Sequence, residues 1–190
     1  MQIASCFILG VILLSCGNQN KGIDRVQGQL SDSGVYHDTN SFDGSQPIVK
    51  IDTRNTTPVE LVTFANTLIG IPYKYGSTNP DEGFDCSGFI TYVFNHFKIK
   101  VPRSSIDFTD INPQINLKQA KTGDLILFTG TDSTVKVVGH MGILIVKNGQ
   151  PISFMHSTSG KVYGVTETPL NAYYMGRYMK TIRVFPQNAN

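Results

Sequence analysis

Apolar positions in the first part of the predicted domain follow a helical period. Thr57 and Glu60 form a capping box around Pro58, which stands at the first helical position. Apolar residues then recur at helical spacing as far as Leu68, and Gly70 marks the end of the pattern. The spacing predicts a first amphipathic helix that begins directly after Thr57.

A second helical pattern follows a turn-rich stretch between residues 73 and 84. Asp85 is a good N-cap, and the apolar positions from Phe89 to Phe97 share one face with Cys86. Pro102 closes the connection that follows. The pattern therefore predicts a helix whose first turn holds a cysteine.

From Gly123 the pattern changes to short β-rich runs separated by Gly, Asn and Pro. The predicted strands are Leu125–Phe128, Met141–Val146, Ile152–His156, Val162–Thr166 and Lys180–Phe185. An edge strand is also expected near Ile48–Ile51. Helices that precede strands predict an α+β domain, with N-terminal helices packed on a central antiparallel sheet.

The N-terminus carries an export pattern. Ile3–Leu14 is an uncharged, largely apolar run of twelve residues, shorter than the roughly 20 residues that a membrane-spanning helix needs. The run ends in a Leu-Leu-Ser-Cys-Gly sequence that resembles a bacterial lipobox, whose cysteine, here Cys16, carries lipid. No Lys or Arg precedes the run, so an uncleaved hydrophobic anchor is the alternative. We expect residues 1–16 to be a lipoprotein signal peptide, 17–56 a flexible tether and 57–190 the folded domain.

Charge and motif content narrow the possible ligands. The net charge is only +2, and Lys and Arg form no cluster of the kind that a nucleic-acid surface needs. Gly-rich phosphate loops and Cys-x-x-Cys zinc motifs are absent from the sequence. We therefore expect no cofactor, no metal and no nucleic acid, and a monomeric chain.

Cys86 is the residue whose chemistry stands out. With Cys6 in the signal and Cys16 lipidated, it is the only thiol in the mature chain and has no disulfide partner. Unpaired N–H groups in the first turn of a helix favour a thiolate with a lowered pKa and can hold an oxyanion. Gly88 is expected to keep the approach to the thiol open. The alternative is a small, inert, buried cysteine.

The base is sought among four histidines. His37 lies in the tether and His96 late in the second helix, so both are interpreted as surface residues. His140 and His156 lie at the ends of two successive predicted strands. With an odd-numbered loop centred on residue 148, they would face each other about 5 Å apart. His140 would then take the thiol proton, and His156 would orient the His140 imidazole. A Cys/His/His zinc site is the other chemical interpretation.

These motifs together resemble the NlpC/P60 family of papain-like cell-wall peptidases, over about Pro58 to Phe185. The matching segments are Gly70–Gly76, Gly83–Phe89, Val101–Ser104, Gly123–Leu125, Gly139–Ile143 and Phe154–Ser157. The Asp-Cys-Ser-Gly and Gly-His-x-Gly-Ile segments are specific only in combination. Ser77 and Phe108 depart from the family's usual Gly and Gln, which affects the expected shape of the pocket.

The resemblance implies roles for individual positions. The implied catalytic residues are Cys86 as nucleophile, His140 as base and His156 as the residue that orients the base.

Three further positions surround the nucleophile. Tyr73 matches a family tyrosine beside the nucleophile that assists the oxyanion, although packing in a proline turn is the alternative. Asp85 and Ser87 are expected to contact substrate or simply to cap the helix. Arg103 and Asp124 are assigned to structure.

The resemblance also implies an activity and a location. It implies a cysteine endopeptidase that hydrolyses peptidoglycan stem peptides or cross-links through an acyl-enzyme. The bond is D-Glu to a diamino acid, or a cross-link to that diamino acid. The alternative is a catalytically silent, murein-binding envelope lipoprotein, and a secreted toxin fits the lipobox less well. Gly17 after the lipidated cysteine is compatible with the outer membrane of a diderm bacterium.

Overall fold

The computed structural model describes residues 50–111 and 113–189. The predicted signal peptide, the predicted lipidation site Cys16, His37 and most of the predicted tether lie outside the described residues. Ile51 and Thr53, at the end of the predicted tether, are buried against the domain. Lys50 and Ile51 belong to no strand, and the rest of the expected edge strand lies outside the described residues.

The first predicted helix is confirmed as α1, Pro58–Asn66. The Thr57 side chain accepts from the Glu60 N–H at 3.2 Å, and the Glu60 carboxylate accepts from the Thr57 N–H at 2.8 Å. This capping box fixes where α1 begins. Leu61 and Ala65 are its buried positions and pack into the main core.

The second predicted helix is also confirmed, as α2, Cys86–His96. The Asp85 carboxylate caps it by accepting from the Gly88 N–H. Phe89, Ile90 and Val93 are fully buried. This apolar face holds α2 against the sheet and so fixes the direction in which its first turn points.

Six antiparallel strands of the described residues form the main sheet: β3 Gln114–Ile115, β4 Leu125–Thr129, β5 Val138–Ile145, β6 Ser153–Thr158, β7 Gly164–Pro169 and β8 Tyr178–Ile182. Their order in the sheet is β3-β8-β4-β5-β6-β7. Two residues each from β1 Thr78–Asn79 and β2 Gly83–Phe84 make a small second sheet. The remaining helices are α3 Ala172–Met175 and 3-10 turns at Ser105–Phe108, Leu117–Gln119 and Pro186–Ala189. Helices followed by an antiparallel sheet confirm the predicted α+β class.

The sheet is covered on both faces. Leu125 and Leu127 of β4 belong to the core beneath α1 and α2. Ile126 and Phe128 belong to a second cluster on the opposite face, with Tyr174 of α3. A strand buried on both faces has no polar alternation, which explains the continuous apolar run in β4. Within the described residues, no helix has the length and apolarity needed to cross a bilayer.

Candidate active site

Cys86 occupies the first position of α2, where the helix meets the strand β5. Its Sγ lies 3.9 Å from the Gly139 carbonyl oxygen, and the side chain is partly buried. Gly88 is expected from the sequence to keep the approach to the thiol open, but the structure gives this glycine another role. A Cβ at this position would lie 2.1 Å from the Ser77 carbonyl oxygen. That glycine instead lets the loop before β1 pack on the helix.

The prediction of a lowered pKa for the Cys86 thiol is wrong for this pocket. Burial, followed by the Asp85 carboxylate, raises the pKa to about 11. Backbone N–H groups of Ser87, Cys86 and Met141 act in the opposite direction but do not outweigh these two effects. The helix terminus therefore supplies hydrogen-bond donors near the sulfur without making it a resting thiolate.

His140 and His156 are in contact, although not in the predicted register. Ile143 pairs with Met155 and Ile145 with Ser153, so His156 falls opposite Gly142 and diagonal to His140. The loop between β5 and β6 has an odd number of residues, as predicted, and this parity keeps both rings on one face. His140 Nε2 lies 2.8 Å from His156 Nδ1, with ring centroids 5.0 Å apart.

A threonine that the sequence interpretation missed continues this contact. Thr168 of β7 places its Oγ1 2.9 Å from His156 Nε2. It stands two residues from Thr166, the cross-strand partner of His156, and therefore shares its face. The register of β6 on β7, which no local motif reveals, is the signal that would have found it.

The order of these contacts fixes a tautomer if His140 is to act as a base. For Nδ1 of His140 to accept a proton, its Nε2 must carry hydrogen and donate to His156 Nδ1. His156 then carries its hydrogen on Nε2 and donates it to Thr168. The series therefore leaves Nδ1 of His140 as the basic nitrogen.

Both imidazoles are held neutral. Burial, followed by the Arg177 charge, lowers the pKa of His140 to about 3. Burial, the neighbouring His140 and Arg177 together lower the pKa of His156 far below its ordinary value. At neutral pH the cavity that Cys86 and His140 both line therefore holds a thiol and a neutral imidazole at rest.

A cleft runs past Cys86 and divides into two cavities. The first, which we call the His140 cavity, measures about 700 Å³ and is lined by residues that include His140, Thr168, Arg177 and Lys161. The second, the Arg103 cavity, measures about 410 Å³ and is lined by residues that include Asp85, Ser87, Arg103 and Ser104. Cys86, Tyr73 and Gly139 line both.

Tyr73 lines both cavities together with Cys86. Burial, followed by the Cys86 and Asp85 charges, raises the pKa of its phenol, so the hydroxyl keeps its proton at neutral pH. Its ring packs edge-on against Tyr163 at 5.6 Å. The Tyr73 hydroxyl is therefore available as a donor, and assistance to the oxyanion stays a prediction.

Asp85 and Ser87 are occupied by contacts within the protein. Asp85 caps α2, accepts from the Gly76 N–H at 2.9 Å and forms a two-pronged ion pair with Arg103 at 2.7 and 3.1 Å. Ser87 is buried and its Oγ accepts from Arg103 at 2.9 Å. Substrate contact by these two side chains stays a prediction. Arg103, which was assigned to structure, also lines the Arg103 cavity, and its side chain is 41% exposed to solvent.

Two other polar residues lie away from the cleft. Asp124 is fully buried and pairs with Arg183 at 3.0 Å, which agrees with its assignment to structure. His96 stacks on Phe64 with 3.6 Å between ring centroids, and it lines neither cavity.

The two site histidines are arranged as hydrogen-bond partners. Two zinc ligands would direct their nitrogens at a common point, whereas Nε2 of His140 and Nδ1 of His156 are directed at each other. Among residues 50–111 and 113–189, no three His, Cys, Asp or Glu side chains form a group that could hold a metal ion.

Sequence comparison identifies related proteins of known activity. Gamma-DL-glutamyl hydrolase of Bacillus subtilis is 35% identical over 135 residues, which are 71% of this chain and 32% of that protein. Murein DD-endopeptidase MepS/Murein LD-carboxypeptidase of Escherichia coli is 31% identical over 121 residues, which are 63% of this chain and 58% of that protein. The chain thus spans about a third to three fifths of the length of these curated relatives.

Structure comparison gives the same grouping. A crystal structure of an NlpC/P60 family protein from Bacillus cereus matches with a TM-score of 0.61 and 26% identity, over 71% of this chain and 42% of that one. The sequence profile of the NlpC/P60 family matches residues 70–184, more than half of the chain. This segment contains both cavities of the cleft. The chain belongs to the NlpC/P60 family.

Proposed function

We propose that the chain is a cysteine peptidase that hydrolyses peptide bonds of peptidoglycan. The observation that carries the proposal is the Cys86 thiol in a cleft that it shares with a hydrogen-bonded His140–His156–Thr168 series. Such a series orients an imidazole and supports the positive charge that it acquires in acyl transfer. The relative from Escherichia coli, a murein endopeptidase, supports peptidoglycan as the substrate.

In the first half of the reaction, Cys86 attacks the scissile carbonyl. Because thiol and imidazole are both neutral at rest, His140 Nδ1 takes the thiol proton as the carbon–sulfur bond forms. The carbonyl oxygen becomes an oxyanion that N–H groups near Cys86 and the Tyr73 hydroxyl stabilise. His140 then donates its proton to the leaving amine, and the carbon–nitrogen bond breaks.

In the second half, water releases the acyl group. His140 removes a proton from the water as its oxygen attacks the thioester carbonyl. The carbon–sulfur bond breaks, the proton returns to the sulfur of Cys86, and a carboxylic acid product leaves. His156 and Thr168 keep the same hydrogen-bond order in both halves, so they act through His140 and touch no reacting atom.

The bond cleaved either joins D-Glu to a diamino acid or is the cross-link to that diamino acid. The names of the relatives support both choices, since one is a γ-glutamyl hydrolase and the other a DD-endopeptidase. The export pattern supports attachment of the chain to the cell envelope through lipid on Cys16, with residues 17–56 as a tether. Gly17 supports the outer membrane of a diderm bacterium as the site of attachment.

Digestion of purified murein sacculi by the full chain tests the proposal. Released peptides are separated by mass spectrometry for the parent, Cys86→Ala and His140→Gln. His96→Gln serves as the matched control, since it removes a histidine that lies outside the cleft. We expect new fragments from the parent and the control alone, and their masses identify the bond. Binding of sacculi without new fragments, across sacculi of different peptide chemistry, would instead indicate a silent murein-binding protein.

A further inference from the structure

The two cavities of the cleft differ in the residues that line them. His140 lines the His140 cavity and does not line the Arg103 cavity. In acyl transfer the base returns its proton to the leaving amine, so the amine must lie on the side of the base. The His140 cavity is therefore the place for the residue that supplies the leaving amine, provided that the proposed peptidase chemistry holds.

Arg177 is a buried cation in the wall of this cavity. It is only 7% exposed, and it donates to the Gly130 carbonyl at 2.9 Å, to the Thr129 carbonyl at 2.9 Å and to the Tyr173 hydroxyl at 2.8 Å. Its guanidinium also lies 5.1 and 5.7 Å from the Tyr173 and Tyr174 ring centroids. All these partners are neutral, so the charge itself is not balanced by them.

Arg177 has donor capacity left over. A guanidinium has five N–H groups, and the three contacts to oxygen use one from each nitrogen. Among the described residues, no Asp or Glu forms an ion pair with it. A buried cation is normally paired with an anion because desolvation without a partner is costly. The two remaining N–H groups and the unbalanced charge therefore suit an anionic ligand.

The rest of the His140 cavity has the same electrostatic character. Lys161 lines it from the exposed turn between β6 and β7, and no Asp or Glu is among its lining residues. The Arg103 cavity differs, because its arginine is already paired with Asp85. The excess of positive charge is thus confined to the half of the cleft that holds the leaving amine.

We propose that Arg177 and Lys161 form a carboxylate-binding site for the substrate residue that supplies the leaving amine. Arginine binds a carboxylate with strong, directional hydrogen bonds, and exposed lysine adds charge at the entrance. Among diamino acids, diaminopimelate carries a carboxylate on its second amino-bearing carbon, whereas lysine does not. The site therefore selects stem peptides with a free carboxylate at this position over those with lysine or an amidated carboxylate.

The site is tested with two cross-linked disaccharide-peptide dimers. In one, the carboxylate on the second amino-bearing carbon of diaminopimelate is free, and in the other it is amidated. Each dimer contains both candidate bonds, so the comparison does not depend on which bond is cut. With the full chain, we expect amidation to lower kcat/KM about 10- to 100-fold, as for loss of a charge-assisted hydrogen bond. The ratio of kcat/KM for the free dimer to kcat/KM for the amidated dimer is the acid-to-amide ratio. Arg177→Gln should reduce this ratio towards one, and Lys161→Gln should reduce it about two- to fivefold.

Matched variants separate recognition from folding. Arg177→Lys keeps the charge and should keep part of the ratio, while Lys100→Gln removes an exposed charge that lines neither cavity and should leave the ratio unchanged. If Arg177→Gln fails to fold, the parent ratio and Lys161→Gln still decide the question. Equal cleavage of both dimers by the parent, or an unchanged ratio in the variants, would overturn the carboxylate site alone. Cleavage of neither dimer would overturn the proposed function and the site with it.

Discussion

Replacement of Thr168 by valine tests whether the hydrogen-bond series beyond His140 supports catalysis. The threonine Oγ1 lies 2.9 Å from Nε2 of His156, a residue with no solvent exposure. Valine has the same shape but no oxygen, so the Nε2–H of His156 is left buried without an acceptor. The methyl group that replaces the hydroxyl has a similar size, so the volume of the side chain changes little.

The size of the effect follows from that unpaired donor. A buried polar hydrogen without a partner costs about 1–3 kcal/mol. This cost applies to the tautomer that leaves Nδ1 of His140 basic, and to the imidazolium that forms during attack. We therefore expect kcat to fall about 5- to 150-fold, with a smaller change in KM because Thr168 is only one residue in the wall of the cavity.

The assay is steady-state cleavage of a soluble cross-linked muropeptide, compared for Thr168→Val, Thr168→Ser and the parent. Serine keeps the hydroxyl and should retain most of kcat. Thermal unfolding of both variants controls for a general loss of stability. Equal kcat values for the valine and serine variants would refute the role of Thr168 in orienting His156.

Three further outcomes follow from burial and charge. Alkylation of Cys86 by iodoacetamide should accelerate steadily from pH 7 to pH 10, because the pKa of the thiol lies near 11. Asp85→Asn should lower this pKa, since it removes a negative charge that raises it. A rate that reaches a plateau below pH 8 in the parent would contradict this prediction. In urea titrations, the free energy of unfolding should fall as the pH drops from about 6.5 towards the low pKa values of His140 and His156 in the folded protein. The fall should reach up to about 1.4 kcal/mol per pH unit for each of the two imidazoles, because only the unfolded chain binds these protons. His156→Gln should make this slope shallower, and an unchanged slope would exclude the residue as its source. Asp124→Asn should destabilise the fold by about 3 kcal/mol because it breaks an ion pair whose carboxylate is fully buried, whereas Glu82→Gln, in an exposed pair, should cost less than about 1 kcal/mol by the same measurement.

Local sequence signals were sufficient to predict the two main helices, α1 and α2. Thr57 and Asp85 are caps whose partners lie three residues away, so the sequence contains the whole interaction. The position of Cys86 at the start of α2 follows from its cap. These features depend on short-range geometry, and no tertiary contact overrides them.

The histidine pair shows where sequence reasoning reaches its limit. The parity of the β5–β6 loop was predicted correctly, and parity alone decides whether His140 and His156 share a face. The register itself depends on how the loop folds, and the structure places Gly142 opposite His156. The rings still meet because a diagonal pair on one face is within reach of imidazole side chains.

Thr168 and Arg177 could not be found from the sequence alone. Each stands in an ordinary local setting, and each reaches the cleft only through the position of its element beside the sheet. The raised pKa of Cys86 has the same origin, since burial is a property of the assembled domain.

The most direct test of the central claim is to trap the acyl-enzyme. The full chain is mixed with a soluble cross-linked muropeptide, quenched in acid within the first turnover, and analysed by mass spectrometry of the intact protein and of its proteolytic fragments. We expect an added mass equal to the substrate minus its leaving amine, located on the fragment that contains Cys86 and absent from Cys86→Ala. Product formation without such an adduct, or undiminished cleavage by Cys86→Ala, would contradict it.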